Sequence, residues 1–325
     1  MFQELKDKII GKGIKIVFPE GTDPRVLGAA IRLHAEDIVE PIVLGDKEEI
    51  KRLANEKNWV IEGITIYDPA DYEEMDQLID AFVERRKGKN TKEQAIELLK
   101  DPAYFGTMLV YTDQADGMVC GAVYSTGDTV RPALQIIKTR PGVKLISGAF
   151  IMVPPHTNGQ KLVFADCAIN INPDAQSLAE IAVESAKTAE IFGIDPKVAM
   201  LSFSSYGSAK SPEVDKVTEA TKIAKELAPE LTIDGEMQFD AAIVPEVAAQ
   251  KVPGSILDGQ ATVFVFPEIQ SGNIGYKIAQ RLGNFQAVGP ILQGLNKPVS
   301  DLSRGCVEDD VFKVAIITAN QALNN

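Results

Sequence analysis

The 325-residue chain predicts an α/β protein of two domains, each a mostly parallel sheet with crossover helices. Three observations carry that prediction. Short β-branched runs alternate with longer amphipathic ones, the order expected of strands joined by helices. The length exceeds what one core ordinarily fills and suits two. The composition, 45% hydrophobic with ordinary glycine and proline, is that of a globular chain, and no fixed-period repeat or low-complexity tract suggests a solenoid or a disordered tail.

Taken in order, residues 15–18 (Lys15, Ile16, Val17, Phe18) are short and β-branched, the first expected strand, and residues 25–35 follow with helical spacing. Strands are expected again at 41–44 and 64–67, helices at 72–86 and 92–100, and a strand in the apolar run 117–120. Residues 125–131 read as a turn opening into a helix. The pattern breaks at Pro141-Gly142, where a domain boundary is placed. Beyond it, 143–153 and 162–170 read as hairpin material around a turn-rich 154–160. Helical spacing is clearest at Leu178, Ile181, Ala182 and Ala189 within 177–192, with Gly193 as a stop. A strand at 198–203, a helix at 212–227, a strand at 262–266 and helices at 274–282 and 311–323 complete the series.

Charge and rare residues limit the partners. A formal net charge of −13 offers no basic face for displacing counterions from a duplex, so nucleic acid is not an expected partner. No apolar run reaches the roughly 18 residues of a membrane span. The first 15 residues interleave Glu4, Lys6, Asp7 and Lys8 with isolated apolar residues and form no signal-peptide core. No membrane partner and a cytoplasmic location are the expectations. Cys120, Cys167 and Cys306 are odd in number and far apart, which argues for reduced, partly buried thiols. With two histidines, His34 and His156, and no Cys-x-x-Cys or His-x-x-x-His spacing, no metal site is expected. His34, inside a periodic segment, reads as a helix-packing residue.

Chemistry concentrates near the C-terminus. Asp301-Leu302-Ser303-Arg304-Gly305-Cys306, followed by Asp309 and Asp310, sets a hydroxyl, a guanidinium and carboxylates close together. Arg304 can hold a phosphate or carboxylate through two N–H donors, Ser303 can donate or accept one hydrogen bond, and Asp310 can accept a proton. Helix capping competes with that reading, because Asp309 and Asp310 suit a helix N-terminus and Gly305 suits a turn. The same two readings stand at Ser125, Thr126 and Asp128: capping groups, or the start of an anion-binding helix with Arg131 beside it. Arg85, Arg86 and Lys87 end an amphipathic segment and suit its C-terminal dipole. Ser271-Gly272-Asn273-Ile274-Gly275-Tyr276-Lys277 places glycines ahead of an amphipathic helix, so backbone N–H groups can face a phosphate there. Its spacing is neither a P-loop nor a Rossmann fingerprint. Residues 204–210 are a second polar loop at a strand end, where α/β proteins commonly line ligand sites. Asp166 with Asn170 reads as a structural Asx turn. Cys306, with no histidine near it in sequence, reads as a packing residue and not a nucleophile.

Four segments together carry a resemblance. Residues 125–135 (Ser125-Thr126-Gly127-Asp128-Thr129-Val130-Arg131 onward), 163–170 (Val163-Phe164-Ala165-Asp166-Cys167-Ala168-Ile169-Asn170), 271–277 and 298–306 are similar in order and spacing to phosphate acetyltransferases (phosphotransacetylases), over nearly the whole chain. The resemblance implies two α/β domains with mostly parallel sheets flanking an interdomain cleft, of the isocitrate/isopropylmalate dehydrogenase-like kind. It implies a C-terminal helix that returns to the first domain, giving 1–142 plus 300–325 and 143–299. It also implies reversible transfer of acetyl between acetyl phosphate and coenzyme A with release of phosphate. Coenzyme A is then a substrate, no cofactor is covalently bound, and the chain is a homodimer.

The scheme implied is direct attack of the coenzyme A thiolate on the acetyl carbonyl, without an acyl-enzyme. Asp310 is similar in position to the family's proposed base, Arg304 would bind the phosphoryl group, and Ser303 would orient the thiol or the developing oxyanion. Arg131 and Arg85 would complete an anion clamp, with Ser125, Thr126, Ser271, Gly272, Asn273 and Lys277 lining the substrates. The sequence around Arg85 departs from the commoner Arg-Lys-His-Lys-Gly form, which leaves Arg85 and Arg86 both open. An acidic protein must reverse its field locally to bind such anions. A carboxylate of pKa about 3.9 is also a poor base for a thiol of about 8.5, a gap of roughly 6 kcal/mol in water. Thiolate stabilisation by Arg304 is therefore expected to carry more of that gap than the basicity of Asp310. Phosphate butyryltransferase is the nearest alternative, with the same chemistry and a roomier acyl pocket. A non-catalytic acetyl-CoA-sensing module is the other, against which Ser303, Arg304 and Asp310 all stand intact.

Overall fold

Alternating apolar and amphipathic runs build two sheets. The computed structural model describes residues 2–155 and 160–324, which divide into one unit of Met1–Arg140 with Leu295–Asn325 and another of Pro141–Gly294. The chain begins in the first unit with α1 (Phe2–Ile9), β1 (Lys15–Phe18), α2 (Pro24–Ala35), β2 (Glu40–Leu44), α3 (Lys47–Lys57) and β3 (Thr65–Tyr67). It continues through α4 (Met75–Arg86), α5 (Lys92–Leu98), α6 (Pro102–Tyr111), β4 (Gly117–Cys120) and α7 (Thr126–Ile136). Aspartates start several of these helices: Asp23, Asp46 and Asp101 each accept first-turn N–H groups, and Pro24 and Pro102 occupy positions where a missing N–H costs nothing.

The second unit holds β5 (Ser147–Val153), β6 (Leu162–Ala165), α8 (Ala175–Ile191), β7 (Lys197–Leu201), α9 (Pro212–Leu227) and β8 (Thr232–Met237). Short α10 (Phe239–Ile243) and α11 (Pro245–Lys251) lead to β9 (Val263–Val265), α12 (Ile269–Arg281) and β10 (Gln286–Gln293). Finally β11 (Val299–Asp301) and α13 (Glu308–Leu323) rejoin the first unit.

In the first unit five parallel strands run in the order β11-β4-β1-β2-β3. The chain steps outward from β1 to β3, then resumes on the other side of β1 with β4. The boundary between β1 and β4 is therefore a topological switch point, where crevices open at the carboxyl ends of strands. Helix α13 is apolar on nearly every face, with Val311, Phe312, Val314, Ala315, Ile316 and Ile317 buried, and it packs on α1, α2 and β4. Burial of side chains of this size is worth about 1.5–3 kcal/mol each, which holds the chain's end in place. In the second unit the order is β10-β5-β6-β9-β7-β8, parallel except that β5 runs antiparallel to both its neighbours. Phe150, Phe164, Phe264 and Phe266 pack its core.

Strands β8 and β10 escape a reading by hydropathy. Strand β8 carries Asp234 and Glu236 into the interior, where each is hydrogen-bonded. Asp234 accepts from Tyr206, Ser255 and Lys225, and Glu236 accepts from Ser204, Thr218 and the Gly207 N–H. Strand β10 contains Pro290, tolerated because it lies at the sheet edge. His34 is exposed on α2 with its ring against Gly63. His156 lies outside the described residues. Among the described residues no helix is long and apolar enough to cross a membrane.

Candidate active site

Three neighbouring strands, β11, β4 and β1, deliver polar side chains at their carboxyl ends. Glu20, two residues beyond β1, is 6% exposed. Its Oε2 accepts the N–H groups of Gly121 and Ala122 at 3.1 and 2.9 Å, and its Oε1 accepts those of Val123 and Tyr124 at 2.7 and 2.8 Å. Four consecutive amides converging on one point form a nest for an anion. Here the anion is the chain's own carboxylate, and it fixes the loop that leads into α7.

Arg25, in the first turn of α2, ties that loop to the next one. It pairs with Asp23 at 2.8 Å. Its Nη1 donates to the carbonyls of Arg304 and Cys306 at 2.9 and 3.0 Å, and its Nη2 donates to the Ala122 carbonyl at 2.8 Å. One guanidinium thus ties the loop after β4 to the backbone of Arg304 and Cys306.

Asp301 ends β11 and is 1% exposed. Its Oδ2 accepts from the Thr126 hydroxyl at 2.7 Å, and its Oδ1 is buried with no hydrogen-bond partner among the described residues. Burial pushes this carboxyl up to about 6 against the Thr126 hydrogen bond and the nearby Thr129 hydroxyl, and the Glu20 carboxylate adds to the rise. The approach of β11 to the end of β4 requires Gly121, whose φ is +109°; a Cβ there would lie 2.4 Å from Asp301 Oδ1.

Beyond Asp301, residues 303–305 are exposed. Ser303 Oγ accepts the Gly305 N–H at 3.3 Å. The Arg304 side chain is exposed and forms no ion pair with a carboxylate among the described residues. Asp310, third residue of α13, is exposed and accepts the Val307 N–H at 3.0 Å. The capping role expected of it is realised, through Oδ2 alone. Cys306 is buried, and burial pushes its thiol up, so it packs, as its surroundings in sequence implied.

On α7, Ser125 caps the helix through the Asp128 N–H, Thr126 joins Asp301, and Arg131 is exposed with only a 3.4 Å contact to Asp128. Arg85 is engaged elsewhere. Its Nε and Nη2 donate to the carbonyls of Ile136 and Ile137 at 2.6 and 3.0 Å, and its guanidinium lies over the Tyr111 ring. Arg86 donates to Asn90 and to the Gln135 carbonyl. Both arginines serve the C-terminal end of α7, whose carbonyls lack intrahelical donors.

In the second unit, the helix expected from Ile274 begins earlier, so Ser271, Gly272 and Asn273, expected as a loop ahead of it, are helical. Glu268 accepts the Gln270 and Ser271 N–H groups and starts α12 at Ile269, so residues 271–277 lie within it. The glycine at 272 serves packing instead: a Cβ there would lie 2.3 Å from the Asp166 carbonyl oxygen. Ser271 Oγ donates to the Glu268 carbonyl, Asn273 donates to the Cys167 carbonyl, and Lys277 is exposed. Asp166 accepts N–H groups of Gly148, Ala168, Ile169 and Asn170, the structural turn its sequence suggests. Residues 204–210 form a loop after β7 held by Glu236.

Sequence reasoning passed over Glu20, Arg25 and Asp301. The available signals were a lone glutamate just past the first strand, an arginine behind an Asp-Pro helix start, and an aspartate inside the Ser303 motif. Among the described residues no group of three His, Cys, Asp or Glu side chains is placed to hold a metal ion.

The phosphate acetyl/butaryl transferase family matches residues 1–319. The chain belongs to that family. A curated phosphate acetyltransferase of Bacillus subtilis (strain 168) is 62% identical over 323 residues, 99% of each chain. The solved structure of a phosphotransacetylase from Streptococcus pyogenes is 60% identical, with a TM-score of 0.97 covering 100% of this chain and 98% of that one. A branched-chain phosphotransacylase from Enterococcus faecalis V583, 21% identical, shares the fold at a TM-score of 0.68 over 95% of this chain and 99% of that one. For a phosphate acetyl/butaryl transferase with a net charge of −13, exposed guanidiniums without strong carboxylate partners are what an anionic substrate requires. Arg304 and Arg131 meet that description.

Proposed function

We propose that the protein is a phosphate acetyltransferase that moves acetyl reversibly between acetyl phosphate and coenzyme A. The observation that carries this reading is the free guanidinium of Arg304, in a turn whose backbone is pinned by Arg25, in a chain 62% identical to a phosphate acetyltransferase. The butyryl alternative is disfavoured by that identity, and the sensing-module alternative by the same turn.

In the forward step the coenzyme A sulfur attacks the acetyl carbonyl. A C–S bond forms, the acyl C–O bond to phosphorus breaks, and phosphate leaves with its negative charge on Arg304. Arg304 lowers the cost of the neighbouring thiolate by the same charge. Asp310 takes the thiol proton. Its Oδ2 is tied to the Val307 N–H, which fixes the carboxylate while Oδ1 remains for the proton. Ser303 orients the thiol or the oxyanion, and Arg131 with Ser125 and Thr126 holds the substrate phosphate at the start of α7. Arg85 is assigned to the end of α7 and not to the clamp. Coenzyme A is a diffusing substrate, and Ser271, Asn273 and Lys277 are proposed to contact it along α12, while Gly272, buried against the Asp166 carbonyl, is assigned to packing. Three free, buried cysteines suit a reducing cytoplasm. A homodimer is proposed through α12, where Ile274, Ile278 and Leu282 are 56%, 54% and 81% exposed one turn apart.

Purified protein given acetyl phosphate and coenzyme A should develop thioester absorbance, with a lower kcat/KM for butyryl phosphate. No thioester from either acyl phosphate would refute the assignment. Asp310→Asn should lower kcat about 10²-fold, the usual cost of a positioned base; full turnover at neutral pH would remove Asp310 from that role.

A further inference from the structure

Thr126 and Asp301 are 175 residues apart in sequence and joined by one hydrogen bond at 2.7 Å. Asp301 is the last residue of β11 and Thr126 the first of α7. Two residues beyond the aspartate stands Ser303, then Arg304. The carboxyl is 1% exposed, its Oδ1 has no hydrogen-bond partner among the described residues, and it crowds against Gly121. A carboxyl so placed disfavours its own ionised form by desolvation, and burial does push it up to about 6. An apolar residue of similar size would avoid that cost. What the carboxyl supplies in return is an acceptor for Thr126.

We propose that Asp301 is a positioning residue for acyl transfer: through the Thr126 hydroxyl it locks the first turn of α7 to the end of β11, and so fixes the substrate-phosphate contacts of α7 relative to Ser303 and Arg304. This rests on the acetyltransferase reading. Asp301 touches no reacting atom and acts through Thr126. The turn it secures carries Ser125 and Thr126 as anion contacts, with Arg131 one and a half turns on.

The test is a double-mutant cycle on the full chain, read as KM for acetyl phosphate and kcat separately. Asp301→Ala and Thr126→Val each remove one partner and should raise KM about tenfold, as loss of a hydrogen bond to a charged group does. The double variant should be no worse than either single one. Asp301→Asn keeps an acceptor for the Thr126 hydroxyl and should hold KM within about twofold of wild type. A role in stability alone would lower the active fraction, and with it apparent kcat, at unchanged KM. Additive effects in the cycle, or unchanged KM in the singles, would overturn the proposal. If Asp301→Ala fails to fold, Asp301→Val, which fills the site without an acceptor, takes its place in the cycle. Wild-type protein that forms no thioester would defeat the reading beneath the proposal; wild-type activity with additive variants would defeat the proposal alone.

Discussion

Glu20→Gln is the sharpest probe of how the site is built. The carboxylate divides four backbone N–H groups between two oxygens, those of Gly121 and Ala122 on one and those of Val123 and Tyr124 on the other. A carboxamide has one acceptor oxygen and one NH₂, so two amides must face a donor. Gly121 and Ala122 are buried, whereas Val123 is exposed. The glutamine oxygen will therefore turn to the first pair, and water will partly satisfy the second. Orphaning a buried amide costs about 1–3 kcal/mol, and the remaining bonds lose their charge assistance, so the loop should be destabilised by about 2–4 kcal/mol. Hydrogen exchange of the segment 121–124, read by mass spectrometry, reports that opening directly. At 1.36 kcal/mol per tenfold, exchange should quicken by about 30-fold to 1000-fold. Unchanged protection at 121–124 would show that the four bonds do not hold the loop.

Three further outcomes are expected. Arg85→Ala should destabilise the first unit by about 1–3 kcal/mol through loss of charged donors to the end of α7, measured by urea unfolding, with KM for acetyl phosphate little changed; a raised KM with intact stability would restore Arg85 to the anion clamp. Arg304→Ala should leave the unfolding curve alone, since its side chain is exposed, while raising KM for acetyl phosphate and lowering kcat; unchanged kinetics would remove it from the site. Asp301→Asn bears on pH. The folded carboxyl titrates at about 6 against an ordinary 3.8, so its raised value gives stability that is full below pH about 4 and fades as pH rises through about 6, a loss of about 3 kcal/mol. The asparagine variant should escape that loss, gaining on wild type in urea unfolding from pH 4 to pH 8; parallel curves would contradict the titration.

Much of the fold could be read from the chain because its strands are short apolar runs bounded by turn residues, as at Lys15–Phe18, Gly117–Cys120 and Leu162–Ala165. Reading failed where burial is achieved by pairing polar groups. Strand β8 hides Asp234 and Glu236 behind partners drawn from 9 to 32 residues away, and no local pattern announces that. It failed at 271–273 for a different reason. Glycine before an amphipathic run suggests a loop, yet Gly272 is glycine because a carbonyl from β6's end leaves no room for a Cβ. At the site, Ser303, Arg304 and Asp310 could be picked out by residue type. Glu20, Arg25 and Asp301 could not, because their partners are backbone atoms and a hydroxyl brought in from distant segments.

Strand β11 pairs only with β4 and is the last strand synthesised. Until residue 301 has left the ribosome, β4 is an uncovered edge with free N–H and C=O groups, a hazard for pairing with other chains. Arg25 and Thr126 wait equally long for their partners, since the carbonyls of Arg304 and Cys306 and the carboxyl of Asp301 arrive together. Covering of the β4 edge and pinning of the Ser303-Arg304 turn therefore wait on one short segment, residues 299–306.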